Sequence, residues 1–348
     1  MAERTLADTF RRLIANGGPI TLSQYMGESN ARYYASRDPL GDAGDFVTAP
    51  EISQMFGELL GLWLTDIWAR AGRPEPVAYV ELGPGRGTLA SDALRVMRGQ
   101  GLASQVHLVE GSPELRRAQG ERLAGAVFHD DLSTLPDDMP LLLVANEFLD
   151  ALPIRQLVKT ASGWREVLVG LDGDGFAPVA GAKPMDAAVP EDQRGAEAAT
   201  VLETCPGAAA VVEDVARRLA AQGGAALFVD YGHDAPRTGS TLQAVRRHQK
   251  VDAFALPGEC DLTAHVDFDQ ARRTAEAAGA RWLGTTTQGA FLQALGIDQR
   301  TASLSRSAPD RAGDFATDRD RLVSPTQMGE LFKVMGLASP DWPEGAGF

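Results

Sequence analysis

Short apolar runs alternate along this chain with longer stretches of helical spacing. The run closing at Val80-Glu81-Leu82 reads as a strand, as do Gln105–Glu110, Ala126–Phe128, Leu141–Ala145 and Ala225–Val229. Leu141–Ala145 is apolar at every position, as expected of a strand buried on both faces. Between the first two strands, Leu89, Ala93, Val96 and Met97 recur at helical spacing from Thr88, and Gly99 and Gly101 end the run. Ser112-Pro113 supplies an N-cap and a first helical position, and another helix is predicted over about Pro206–Ala221. Toward the end come a helix near 268–279, a strand near Arg281–Leu283, a helix over roughly 325–332 and a strand Phe332–Gly336. Strands alternating with helices through right-handed crossovers predict an open, doubly wound, mostly parallel α/β sheet.

The flanking segments extend this plan. Residues 1–78 are too long to be a tail and are predicted to form an N-terminal helical lid region, with residues 79–348 as the main domain. Thr48-Ala49-Pro50-Glu51 reads as a capping box that opens a helix. Phe56, Leu59, Leu60, Trp63, Leu64, Ile67 and Trp68 then form one wide apolar stripe, which is expected to be core. The stretch from Tyr33 to Val47, rich in aspartate and glycine, reads as an ordered loop. Two insertions interrupt the main domain, at about 155–205 and 233–265. The first holds strand-like pieces at Ile154–Lys159, Trp164–Val169 and Phe176–Val179, and reads as antiparallel. Its residues 181–200 are expected to be a flexible connection or short helix, and the second insertion shows no clear periodicity.

Chemistry gathers at the strand ends. Glu81 is followed by Gly83, Gly85 and Gly87 in the spacing G-x-G-x-G, and then by a helix start. Gly83 can turn sharply, Gly85 lets a ligand approach the backbone, and Gly87 allows close packing at the helix start. The free N–H groups of that helix N-terminus suit an anionic or electron-rich group. A dinucleotide fingerprint would place its third glycine at 88, where this chain has Thr88. Glu110 closes the second strand, where an acidic residue can accept both hydroxyls of a ribose. Asp131 follows the third strand and directly precedes the apolar Leu132. His129 is expected to be a loop residue. The three strand ends outline an adenosine-sized crevice at the carboxyl edge of the sheet.

Composition removes several alternatives. A chain of 348 residues can bury a large core. Its net charge of −14 argues against a nucleic-acid partner, which calls for a basic footprint. Cys205 and Cys260 are the two cysteines, without CxxC spacing or a His/Cys cluster, so neither a disulfide framework nor a metal site is expected. No apolar run approaches about 18 residues, so no membrane insertion is expected. The first residues lack the apolar core of a signal peptide. Arginine supplies nearly all the basic residues, as GC-rich bacterial codon usage would produce, and the cytoplasm is the expected compartment.

Longer strings carry a family resemblance. They are Gly44-Asp45-Phe46-Val47-Thr48-Ala49-Pro50-Glu51-Ile52-Ser53-Gln54-Met55-Phe56-Gly57-Glu58, Ala145-Asn146-Glu147-Phe148-Leu149-Asp150-Ala151-Leu152-Pro153, Phe228-Val229-Asp230-Tyr231-Gly232 and Asp261-Leu262-Thr263-Ala264-His265-Val266-Asp267-Phe268. With Glu81 and the glycine spacing they resemble the MidA family of class I S-adenosylmethionine-dependent methyltransferases, in order from about residue 18 to 337. The run from Tyr25 to Tyr34 departs from the family by being shorter and less hydrophobic.

The resemblance implies a seven-stranded sheet whose last two strands form an antiparallel hairpin. It implies S-adenosylmethionine as cofactor, bound by Glu81, Gly83, Gly85, Gly87, Glu110, Asp131, Leu132 and Asn146. Residues 20–55, rich in ordered-loop residues that feed a capped apolar helix, are expected to cover it as a lid. The resemblance also implies a protein substrate with an exposed arginine, for which mitochondrial members offer a respiratory complex I subunit as precedent. A guanidinium is always protonated and needs carboxylates to orient it and take its proton. Glu147 is the expected anchor, Asp150 its support, and His265 a further proton acceptor. Asn146 opens a loop superficially like N-P-P-[FY] of amino-methylating nucleic-acid enzymes, but Glu147 and Phe148 replace both prolines. An assembly factor acting by client binding, and a small-molecule methyltransferase, are the competing readings.

Overall fold

The computed structural model describes residues 5–36, 47–246 and 249–348. The chain divides into two compact units. One unit comprises 47–149, 209–234 and 267–348, and is organised by a twisted sheet. In chain order its strands are β1 (Ala78–Leu82), β2 (Gln105–Val109), β3 (Val127–His129), β4 (Leu141–Asn146), β5 (Gly224–His233), β6 (Arg281–Thr287) and β7 (Phe332–Ala338). They lie side by side in the order 3-2-1-4-5-7-6. The first five run parallel, whereas β7 is antiparallel to both β5 and β6. The doubly wound sheet and its terminal antiparallel hairpin therefore match the expected fold.

The register explains where ligands can enter. From β1 the chain steps outward to β2 and β3, then returns to β4 on the other side of β1. The carboxyl ends of β1 and β4 thus flank the switch point, where connections leave in opposite directions and open a crevice. Every residue of β1 and β4 is buried, so the two strands form a fixed floor.

Helix Gln54–Arg70 belongs to this same unit and buries Met55, Phe56, Leu59, Leu60, Trp63, Leu64, Ile67 and Trp68 in its core. Residues 1–78 are thereby split: 47–78 join the sheet unit and 1–46 join the other. The expected capping box does not form. Thr48 makes no side-chain cap bond, and the helix it precedes stops after Ala49–Ile52. Ser53, in extended backbone, caps Gln54–Arg70 instead. Glu51 is drawn away because its carboxylate accepts the Thr88 hydroxyl at 2.6 Å. Between β6 and β7 the chain forms helices Gln288–Ala294, Ile297–Ser307 and Ala312–Val323, none of them anticipated.

The other unit comprises 1–46, 150–208 and 235–266. Arg155–Thr160, Gly163–Asp172, Gly175–Pro184 and Val201–Thr204 form an antiparallel sheet, as expected of the first insertion. The second insertion, featureless in sequence, holds a small antiparallel sheet of Gln249–Val251, Gln243–Arg246 and Asp261–Thr263. Helices Leu6–Gly17 and Leu22–Ser36 complete the unit, and Phe10, Tyr25, Phe176 and Phe254 pack as an aromatic cluster. Tyr33 and Tyr34, expected in a loop, are helical. The rest of that loop, and with it part of the expected lid, lies at 37–46, outside the described residues.

Candidate active site

The glycine loop leaves the end of β1. Gly83, Gly85 and Gly87 have φ of 63°, 53° and 75°, the left-handed region in which a side chain is strained. A Cβ on Gly83 would stand 2.8 Å from the Phe148 ring, and one on Gly87 would stand 3.1 Å from Leu123. The Gly83 N–H donates to the Val109 carbonyl at 3.0 Å, and that of Gly87 to the Pro84 carbonyl at 2.7 Å. Gly87 is the N-cap of helix Thr88–Gly99, so the loop delivers a helix N-terminus to the crevice.

Glu81 lies beneath the loop, 3% exposed. The Tyr79 hydroxyl donates to its Oε2 at 2.6 Å, and the backbone of Ala90 donates to its carboxyl. Burial outweighs these bonds and pushes its carboxyl up to about 8. At neutral pH it is therefore predominantly a neutral acid.

Glu110 follows β2 and is half-buried. Its Oε1 accepts the Ser112 N–H at 2.8 Å and its Oε2 the Gln119 amide at 3.2 Å. Burial raises its carboxyl above the ordinary range, against the pull of Ser112, Gln119 and Arg116. After β3, Arg116 bonds the exposed Asp130. Asp131 caps the turn Leu132–Thr134: the Ser133 N–H donates to its Oδ1 at 2.8 Å, and the Ser133 hydroxyl to the same oxygen. These bonds hold its carboxyl below the usual value. Leu132 is half-buried, its carbonyl accepting from Arg218 at 2.7 Å. His129 is not a loop residue: it ends β3, buried, with Nε2 3.0 Å from His107 Nδ1. Its two side-chain contacts, to His107 and to Thr134, explain why the interior holds it.

At the end of β4, Asn146 is 9% exposed. Its Nδ2 donates to Glu147 Oε1 at 3.2 Å, while its Oδ1 is buried without a partner among the described residues. Exchanging the two amide atoms would set oxygen against carboxylate oxygen, so the orientation is fixed. Glu147, half-buried, has φ 51°, a strained position for a residue with a side chain. Its backbone N–H donates to the Val229 carbonyl at 2.9 Å, and Ala49 N–H approaches Oε1 at 3.4 Å. Asp230, on β5 and 1% exposed, holds the turn in place: Oδ2 accepts the N–H groups of Phe148 and Leu149, and Oδ1 that of Tyr231.

The glycine loop, Glu81, Glu110, Asp131, Leu132, Asn146 and Glu147 all belong to the sheet unit, at the carboxyl ends of adjacent parallel strands. Asp150 and His265 belong to the other unit. There the Asp150 carbonyl accepts the Ala264 N–H, and the His265 N–H donates to Thr241 Oγ1 at 2.8 Å. Gln119, bonded to Gly85 and Glu110, and Asp230, bonded to the Glu147 turn, join the site without being expected from the sequence. Asp230 had a signal, an acidic residue closing the strand beside β4.

Known proteins resemble this chain closely. A family model described as "Putative S-adenosyl-L-methionine-dependent methyltransferase" matches residues 59–286. The mitochondrial protein arginine methyltransferase NDUFAF7 of Mus musculus is 38% identical, over 93% of this chain and 82% of its own. Its Homo sapiens counterpart is 37% identical, over 97% and 84%. A crystal structure from Burkholderia thailandensis, bound to S-adenosyl-homocysteine, shares 32% identity and a TM-score of 0.84, covering 98% of this chain and 93% of that one. The mitochondrial relatives correct the expected cytoplasmic compartment, because arginine-rich composition reports genome bias and carries no address. Fold, strand-end chemistry and relatives agree, and the chain belongs to this family of class I S-adenosylmethionine-dependent methyltransferases.

Proposed function

We propose that this methyltransferase modifies an arginine side chain of a protein client. The carrying observation is the Glu147 carboxylate, presented from left-handed backbone at the switch-point end of β4. The activity named for the mouse and human relatives supports the same reading. For the client's identity, the family resemblance offers a respiratory complex I subunit.

The residues present fit the cofactor. A buried, unpartnered Asn146 Oδ1 at the crevice is an acceptor awaiting an N–H donor, and the cofactor's ammonium would supply one. Gly83, Gly85 and Gly87 would hold its amino-acid part against the helix N-terminus, Glu110 its ribose, and Asp131 with Leu132 its adenine. Glu81 would act from below, keeping the loop in shape. Bound S-adenosylmethionine supplies an electrophilic methyl group on a sulfonium.

The chain's own task is then positional. Glu147 orients the acceptor guanidinium through charge-assisted hydrogen bonds and takes the proton released as the new N–C bond forms. Asp230 holds the Glu147 turn through the backbone N–H groups of Phe148 and Leu149. Asp150 and His265 are candidates on the sequence alone, and Asp150→Asn should cost less than Glu147→Gln.

The test is incubation with labelled adenosylmethionine and lysate from a strain lacking this protein, with mass spectrometry of labelled bands. Methylarginine in a protein band is the expected result. Replacing that arginine by lysine should give a poor acceptor, since an ammonium lacks the planar fork of donors. Label confined to small molecules would contradict the reading, and so would binding of clients without any transfer.

A further inference from the structure

Gln119 lies one helix away from the glycine loop, on Pro113–Arg122, and is fully buried. Its amide nitrogen reaches two parts of the cofactor site at once: the Gly85 carbonyl at 2.6 Å and Glu110 Oε2 at 3.2 Å. Its own Oε1 is buried with no hydrogen-bond partner among the described residues. Flipping the amide would direct that oxygen at a carbonyl and a carboxylate, so the observed orientation is the one the surroundings permit. A buried acceptor left unpaired is unfavourable, and the fold tolerates it where the amide nitrogen is needed.

We propose that Gln119 is a positioning residue for the cofactor, tying the glycine loop to the ribose-binding carboxylate so that the two form one preorganised receptor. The argument rests on Glu110 as the ribose acceptor. Glu110 Oε1 is engaged by Ser112 and Oε2 by Gln119, so these two donors determine which lone pairs remain for the ribose diol. Gly85 is held on the same nitrogen, so the loop backbone and Glu110 keep a constant spacing. A cofactor that meets both then finds them already set, which lowers the ordering cost of binding. No sequence motif announces this, because the two partners lie 34 and 9 residues away along the chain.

The test is calorimetric and uses S-adenosylhomocysteine beside its analogue lacking the 2′-hydroxyl. Gln119→Met keeps the volume and removes both donors. It should weaken S-adenosylhomocysteine roughly 10- to 30-fold while the analogue loses no more than about threefold, because an unanchored Glu110 no longer favours the diol. In the Glu110→Ala background the same substitution should cost little, as coupling through Glu110 requires. Gln119→Glu, isosteric but set against two oxygens, provides the second variant and should bind S-adenosylhomocysteine more weakly still. Equal losses for both ligands together with a lower melting temperature would mean a packing role only. Unchanged S-adenosylhomocysteine affinity in Gln119→Met would overturn the proposal outright, and so would a full loss persisting without Glu110. A failure of the arginine reading would leave all of these binding results untouched.

Discussion

The ends of β1 and β2 each carry a glutamate, and burial raises both carboxyls, but the two side chains differ in how far they are enclosed. Glu81 is enclosed, bonded by Tyr79 and the Ala90 backbone, and holds its proton up to about pH 8. Glu110 is half-buried, fed by Ser112 and Gln119 and placed beside Arg116. The same residue type at successive strand ends is thus enclosed at one and half-open at the other, and the depth of burial sets the difference. An enclosed neutral acid can brace the glycine loop but has no open face for a ligand. A half-open carboxylate with spare lone pairs can recognise one. The end of β4 adds a third arrangement, in which Glu147 is aimed by strained backbone.

The contrast is sharpest where charge is removed from each end in turn. Glu147→Gln should have the largest effect: transfer should fall by roughly 10²–10⁴, with S-adenosylhomocysteine affinity within about threefold of wild type. Normal transfer by a folded Glu147→Gln protein would move the acceptor site elsewhere. Glu110→Ala should come next, weakening S-adenosylhomocysteine by about 1.5–3 kcal/mol through lost charge-assisted hydrogen bonds. Because burial raises the Glu110 carboxyl, wild-type affinity should decline on acidification sooner than an ordinary glutamate would dictate. Titrations from pH 8 to 5 that show the same profile with and without Glu110 would deny it the ribose.

Glu81→Gln probes the neutral member of the pair. The folded carboxyl keeps its proton to about pH 8, whereas an unfolded glutamate releases it near pH 4.3. Between these values the native state binds the extra proton, so stability falls as pH rises, by at most about 1.4 kcal/mol per unit. Below that window the group imposes no such loss. Glu81→Gln should remove the slope, and its stability relative to wild type should rise from pH 5 to pH 8 in urea titrations. A constant difference across that range would mean that Glu81 is ionised in the fold. The smallest effect belongs to Asp131→Asn, which keeps an acceptor for Ser133 and should change S-adenosylhomocysteine affinity by no more than about threefold.

How much of this could be read from the sequence follows from which interactions are local. Apolar runs such as Leu141–Ala145 and the glycine spacing after Glu81 announce β4 and the loop, because burial on both faces and positive φ dictate residue type position by position. The capping box failed because Glu51 found Thr88, 37 residues away, in place of its own helix end. Helices Ile297–Ser307 and Ala312–Val323 were missed because their apolar positions are few among polar ones, with Ile297 the sole buried residue of the first. Asp230 and Gln119 act through partners brought by tertiary approach, 82 and 34 residues distant. The boundary of the sheet unit was illegible for the same reason: residues 47–78 and 1–46 differ in what they pack against, and no break in composition marks the division.

The central claim is that S-adenosylmethionine is held at the carboxyl ends of β1, β2 and β3. Ultraviolet irradiation of the intact protein with methyl-labelled adenosylmethionine, followed by peptide mapping, tests it most directly. Label is expected in peptides spanning Gly83–Gly87, Glu110–Gln119 or Asp131–Leu132, and should be lost with excess S-adenosylhomocysteine. Label found solely in 150–208 or 235–266, displaced by the same competitor, would contradict it.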